Sequence, residues 1–305
     1  MLTKRSVKVS QAQDNYRISF NAMASPCEVL IQTQDKHVVE QLAQCVSDEV
    51  WRIEQKYSRY DSASICSKIN TSNGHDIAID QETYLLLNFA EQCYQLSDGL
   101  FDISSGVLRK VWRFDSVSGE CQHFPNAADI NKLLDFVDWP SVIYDQHSIT
   151  LPQHMELDFG GIGKEYAVDR CLLLAKKLTD APILVNLGGD LAVTGARLNN
   201  QAWQVAIENP NREVPGQSQD MIIALSQGAL ATSGDARRYL IKNGVRYGHV
   251  INAKTGWPIV NAPRSITTVA PQCIQAGILA TLALLQGEHA EQFLTEQNIT
   301  FWARR

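Results

Sequence analysis

Residues 155–178 read as a strand, a glycine-rich turn and a helix, and the chain beyond them carries a series of short β-like runs rather than further strand–helix units. That order limits the fold more than any other feature. A regular βαβ alternation would build a parallel sheet with helices on both faces. Runs at 183–187, 203–208, 221–225, 249–251 and 266–270 do not supply it. They call for an α+β fold, with mixed or largely antiparallel sheets packed with helices. Upstream, 27–33 reads as a strand. Val38, Leu42, Val46, Val50, Ile53 and Tyr57 recur at helical spacing. Asp80 can cap a helix over 82–96, because its carboxylate can accept the unpaired N–H groups of the first turn. Residues 115–155 are turn-rich and read as an excursion, Pro271 precedes a helix over 272–285, and a last helix is expected over 288–297. With no linker-like stretch in view, we expect a tail over 1–20 and one domain over 21–305.

Bulk properties narrow the function. Of 305 residues, 45% are hydrophobic and 20% charged, which is enough for a core without metal or disulfide staples. Lys and Arg number 27 against 33 Asp and Glu, a net charge of −6 that disfavours nucleic acid as a partner. The longest apolar run, 278–285, is far shorter than the roughly 20 residues a membrane helix needs, so no membrane segment is expected. The first residues are basic but lack an apolar stretch and a small-residue cleavage site, so a cytoplasmic location is expected. Seven cysteines, none in C-x-x-C spacing, fit free thiols in a reducing compartment.

Five places could carry chemistry. Asp158 to Lys164 reads D-F-G-G-I-G-K and enters a helix; glycines there would present bare backbone N–H groups to an anion, with Lys164 adding charge. It is neither G-x-G-x-x-G nor a Walker A loop, and a turn needing positive φ explains it equally well. Asn186 to Asp190, N-L-G-G-D, reads first as a tight hairpin. Ala231 to Asp235, A-T-S-G-D, precedes Arg237 and Arg238 and would suit a phosphate or ribose, unless the arginines are simply exposed on a helix. His249 stands among Gly, Asn and Thr residues and could act as a base near neutral pH, although a lone His is more often structural. Thr281 lies one turn after Gly277 on the same helical face; its hydroxyl either bonds back to the preceding turn or ligates a hard cation, which would also want a carboxylate.

Taken in order, these elements resemble the ApbE family of flavin transferases. A-M-A-S-P-C at 22–27 is similar to its N-terminal Met-Gly-Thr element. The run 53–64, closing at Ile69 and Asn70, resembles E-x-x-F-S-x-Y…S…N; S-D-G-L-F-D-I at 97–103 with W-R-F at 112–114 resembles T-x-G-A-F-D-I…W-x-F. The resemblance implies an ApbE-like (T-fold-like) domain that cleaves the pyrophosphate of FAD and attaches FMN to a Thr or Ser hydroxyl of an acceptor protein, with Mg²⁺ bridging the phosphates. By position it implies FAD contacts from Met23, Tyr60, Leu100, Phe101, Asp102, Asp158, Lys164 and Val250. It makes His249 the catalytic base, and assigns the metal to the Gly161 carbonyl, Thr281 and a carboxylate at 277.

Here the chain departs from the pattern. The family helix reads A-D-x-x-x-T, and this chain has Gly277 in place of the Asp and Ala280 where some members carry a second one. A mid-helix Gly also costs roughly 1 kcal/mol relative to Ala. Glu165 stands where Gly is usual after the Lys; it could reach the metal or the ribose, but the helix dipole favours a solvent-facing Glu in a first turn, and that is the expectation. Asn252 and Ala253 replace a common Asp-Pro or Asn-Pro. Three readings stay open: a working FMN transferase, an FAD-binding homologue whose transfer is impaired or lost through Gly277, and an FAD pyrophosphatase releasing FMN and AMP to water.

Overall fold

The structure, a computed structural model, describes residues 5–12, 15–114, 124–210, 221–235 and 238–305. In chain order the strands are β1 (Lys8–Ala12), β2 (Asn15–Ala22), β3 (Ser25–Ile31), β4 (Asp76–Ala78), β5 (Ile143–Tyr144), β6 (Ser148–Thr150), β7 (Ile183–Leu187), β8 (Asp190–Val193), β9 (Trp203–Ile207), β10 (Met221–Leu225), β11 (Gly228–Gly234), β12 (Tyr239–Lys242), β13 (Val245–Gly248), β14 (Ser265–Ala270) and β15 (Phe301–Arg304). The α-helices are α1 (Lys36–Tyr57), α2 (Ile65–Asn70), α3 (Gln81–Leu96), α4 (Ala127–Leu134), α5 (Gly163–Leu178), α6 (Cys273–Leu285) and α7 (Ala290–Glu296).

The main sheet has eight strands in the order β1-β2-β3-β7-β8-β11-β14-β15, and every neighbouring pair is antiparallel. The expected α+β class is therefore met. The expected tail over 1–20 contains β1 and most of β2, both paired into this sheet. The cause is alternation: Tyr16, Ile18, Phe20 and Ala22 point into the core while their neighbours are more exposed, the period-2 pattern of a half-buried strand.

Helices α1, α5 and α6 cover one face. Along α1, Leu42, Val46, Val50 and Ile53 are fully buried in the main core with Val29, Val185 and Ala229 from the sheet. Asp35 starts α1 by accepting from His37 N and Val38 N, and Asp80 starts α3 by accepting from Thr83 N, as its position predicts. Helix α6 is apolar nearly all round, as a helix wedged between a sheet and other helices must be. Its first turn is tied to α5, where the Asp169 carboxylate accepts from Cys273 N at 2.8 Å and Ile274 N at 2.9 Å. On the opposite face, β9 and β10 pack Trp203, Val205, Ile223 and Leu225 against Leu191, Val193 and Leu230.

Two local expectations change. Residues 249–251 form no strand; β13 ends at Gly248, and only an isolated bridge joins Ile251 to Pro258. The turn-rich excursion contains α4, β5 and β6, while its portion 115–123 lies outside the described residues. The six described cysteines are free, and Cys121 lies outside the described residues. Among the described residues, no helix is long and apolar enough to cross a membrane.

Candidate active site

The 158–164 run folds into a turn that delivers α5. Asp158 N donates to the Ile103 carbonyl at 2.9 Å, which docks the run on the 101–106 segment. Asp158 Oδ1 accepts from Gly160 N at 2.8 Å, and Oδ2 pairs with the Arg59 guanidinium. Arg59 in turn lies over the ring of Tyr60, which is 78% exposed. Gly161 sits under Phe101: a Cβ there would approach the ring to 3.2 Å, so a larger residue would push on it. Phe101 is fixed by its own N–H, which donates to Ser97 Oγ at 2.9 Å. Helix α5 has no side-chain cap at Ile162.

Lys164 leaves the first turn of α5 and meets Asp190 Oδ2 at 2.5 Å. Asp190 is almost wholly buried, and its Oδ1 accepts from Thr232 N at 3.2 Å. Burial opposes the charge on Lys164, but Asp190 and Glu165 outweigh it and hold its pKa above the ordinary value, so the ammonium persists at any physiological pH. The N-L-G-G-D run makes the tight β7–β8 hairpin expected of it: Gly188 and Gly189 have φ of +68° and +107°, and Asn186 Oδ1 accepts from Gly189 N. At Gly188 a Cβ would stand 2.7 Å from Ser25 Cβ, so glycine here also admits the β2–β3 turn. That turn carries Met23 at φ 51°, with its N–H held by Glu54 Oε1 at 2.5 Å.

Strand β11 links the parts. Its A-T-S-G-D run reads like a phosphate loop in sequence but is mostly central strand, paired with β14 from Ala229 to Gly234. Thr232 reaches Asp190, and Ser233 Oγ accepts from Thr281 Oγ1 at 3.2 Å. Thr281 therefore reaches across to the sheet. At the strand's end Asp235 binds Arg246 Nε at 2.7 Å and Arg264 Nε at 2.8 Å. Gly234, Asp235, Arg246, Gly248, Val250 and Arg264 line a cleft of about 180 Å³. Arg237 lies outside the described residues, and Arg238 is exposed just before β12 rather than on a helix.

His249 follows β13, with its ring edge-on to Phe114 at 6.5 Å. Its Nδ1 is buried with no hydrogen-bond partner among the described residues. Burial, and then the Arg238 charge, lower its pKa below 6.5, so it is neutral at pH 7 and able to take a proton. Val250 packs between the main core and the α6–α7 cluster. Leu100 is partly buried against the core. Asp102 is 7% exposed, and both its oxygens are engaged: Oδ1 accepts from Ser104 N and Oγ, and Oδ2 from Trp139 N. That makes it a brace for the turn carrying Phe101.

Glu165 does not face solvent. Its side chain turns into the α5–α6 seam and rests on Gly277. Burial, and then the nearby Asp190 charge, push its pKa up. The physical reason is the empty volume at 277, which no inspection of α5 alone reveals. Sequence reasoning also missed the roles of Arg59, Asp169 and Asp235. The one available signal was that a lysine in a glycine-rich turn this close to a core needs a carboxylate, and Asp190 was the nearest to a second such turn. Among the described residues, no three His, Cys, Asp or Glu side chains converge on one point.

A half-buried lysine at a helix start, its buried aspartate partner and a Thr–Ser contact thus lie on adjoining elements of one sheet and its covering helices. The ApbE family model matches residues 23–302, and the chain belongs to that family. Curated relatives include the FAD:protein FMN transferase of Haemophilus influenzae, 27% identical over 81% of this chain and 72% of the relative. That of Vibrio cholerae is 28% identical over 81% and 73%. The ApbE protein of Thermotoga maritima, a solved structure, superposes with a TM-score of 0.84 at 26% identity, covering 95% of this chain and 94% of that one.

Proposed function

We propose that the chain is an FAD:protein FMN transferase that depends on Mg²⁺ and joins FMN to a Thr or Ser hydroxyl of an acceptor protein. The observation that carries this is Lys164: a half-buried ammonium, kept charged by the buried Asp190, at the uncapped start of α5. Backbone N–H groups and a fixed cation together suit a pyrophosphate. Arg59, Tyr60, Met23, Leu100, Phe101 and Val250 then supply the surrounding contacts to FAD, with Asp102 and Asp158 shaping the turns that hold them.

In the reaction the acceptor hydroxyl oxygen forms a bond to the FMN phosphorus, the bond from that phosphorus to the AMP oxygen breaks, and AMP leaves. His249, neutral because it is buried, takes the hydroxyl proton. Lys164 holds the phosphoryl oxygens as their charge redistributes. Bound Mg²⁺, with the Gly161 carbonyl and Thr281 as its neighbours, would act as a Lewis acid on the same oxygens. The free described cysteines fit a reducing compartment such as the cytoplasm.

The test combines FAD titration with an assay of AMP release and of flavin retained on Thr- or Ser-bearing acceptor polypeptides. His249→Ala should lower transfer by about 10²- to 10⁴-fold and leave FAD affinity unchanged. Undiminished transfer would remove His249 from the mechanism, and wild-type protein that binds no FAD would end the flavin reading.

A further inference from the structure

The seam between α5 and α6 encloses a carboxylate that no neighbouring side chain matches. A Cβ built on Gly277 would lie 2.6 Å from Glu165 Cγ, 2.9 Å from Oε1 and 3.0 Å from Cδ. The Glu165 side chain therefore fills the volume that any larger residue at 277 would take. Its Oε2 is buried and has no hydrogen-bond partner among the described residues. The nearest cation does not resolve this, because Lys164 is paired with Asp190 instead. An unmatched carboxylate oxygen inside a protein is costly and needs an account. One turn along α6 the Thr281 hydroxyl faces the same way as position 277, within reach of Ser233. A carboxylate oxygen in the volume at position 277 and a hydroxyl oxygen one turn along the same helix are donors of the type a hard divalent cation takes.

We propose that Glu165 is the carboxylate ligand of a divalent cation at the α5–α6 seam, supplying from α5 the anionic oxygen that Gly277 cannot supply from α6, with Thr281 as its neighbouring donor. The inference rests on the proposed function as an enzyme that works with Mg²⁺. It converts the loss at 277 from a defect into a relocation. The two positions then form a pair: a side chain at one excludes a side chain at the other.

Direct binding of Mn²⁺, used as a spectroscopic substitute for Mg²⁺, tests this on the full chain, with and without FAD, by titration calorimetry and by loss of the free-ion paramagnetic signal. Glu165→Gln, which keeps the shape, should weaken Mn²⁺ at least about tenfold, the scale on which even supporting residues of a metal site act. The exchange variant Glu165→Gly with Gly277→Asp should bring affinity back to within a few-fold of wild type. Gly277→Asp alone should not improve on wild type, because the new side chain meets Glu165. Wild-type Mn²⁺ affinity in Glu165→Gln, or a folded exchange variant without Mn²⁺ binding, would overturn the proposal. So would wild-type protein that binds FAD but not Mn²⁺, whereas failure to bind FAD would strike the proposed transferase function itself.

Discussion

Replacing Gly277 with alanine probes the seam through stability alone. In an ordinary helix interior this change gains about 1 kcal/mol, since alanine loses less backbone entropy than glycine. Here the new methyl carbon would sit 2.6 Å from Glu165 Cγ, well inside contact distance. That atom lies near the root of its side chain, so the whole carboxyethyl arm must leave the seam or the helices must part. Overpacking of this kind costs about 1–3 kcal/mol. The net result expected in wild type is a loss of about 1 kcal/mol. In a Glu165→Ala background the obstructing atoms are gone, and the same substitution should gain about 1 kcal/mol. The sign of the effect reverses, and the double-mutant cycle yields a coupling of about 2 kcal/mol, within the span seen for residues in contact. Urea unfolding of the four proteins at pH 7 measures it, and any effect of Glu165→Ala on α5 itself cancels in the cycle. Equal gains in both backgrounds would refute the packing argument.

Two further outcomes concern the scaffold. Burial opposes ionisation of Glu82, but hydrogen bonds from Arg52, Lys56 and Tyr166 draw its pKa down from 4.5 to about 2. A depressed carboxylate adds stability above its unfolded value, and that stability is lost as pH falls from about 4.5 towards 2, so melting temperature should drop across this window. Glu82→Gln should flatten the drop and cost about 2 kcal/mol at neutral pH after partial solvent screening. Asp169→Ala should remove the tie to Cys273 and Ile274 and cost about 1–2 kcal/mol, read by thermal melting, while Asp169→Asn, with one acceptor oxygen in place of two, should keep only one of the two bonds and recover only part of that stability.

Much of the fold is legible in the sequence because local chemistry and tertiary packing agree. The α1 stripe, the Asp80 cap and the N-L-G-G-D hairpin each follow from side chains acting within a few residues. Where distant partners decide, sequence is misleading or silent. β8 is buried on both faces, so it shows no alternation and reads only as the end of a turn. The small residues of β11 look like a ligand loop; they are small because α6 packs closely against them. The excluded volume at 234 makes the same point, since a Cβ there would reach 2.3 Å from the Arg264 carbonyl. At the site, the order of motifs points to the family, and Lys164 and His249 stand out by type. Which way Glu165 turns depends on a residue in another helix, and neither segment announces that meeting alone.

The pairing of β3 with β7 has a consequence for how the chain is made. Cys27 lies opposite Leu187 and Ile31 opposite Ile183, so one edge of β3 finds its neighbour only when residues 183–187 have left the ribosome. Until then the β1–β2–β3 meander, which needs only local turns, stands with an unpaired edge and with Val29 and Ile31 uncovered. Open edges of this kind recruit other chains, and segments synthesised first wait longest for distant partners. Helix α1, made immediately afterwards and packed on β2, is the natural interim cover for its face. The edge itself stays open until β7 arrives, so the nascent protein is most vulnerable to aggregation while the chain between residues 31 and 183 is being made.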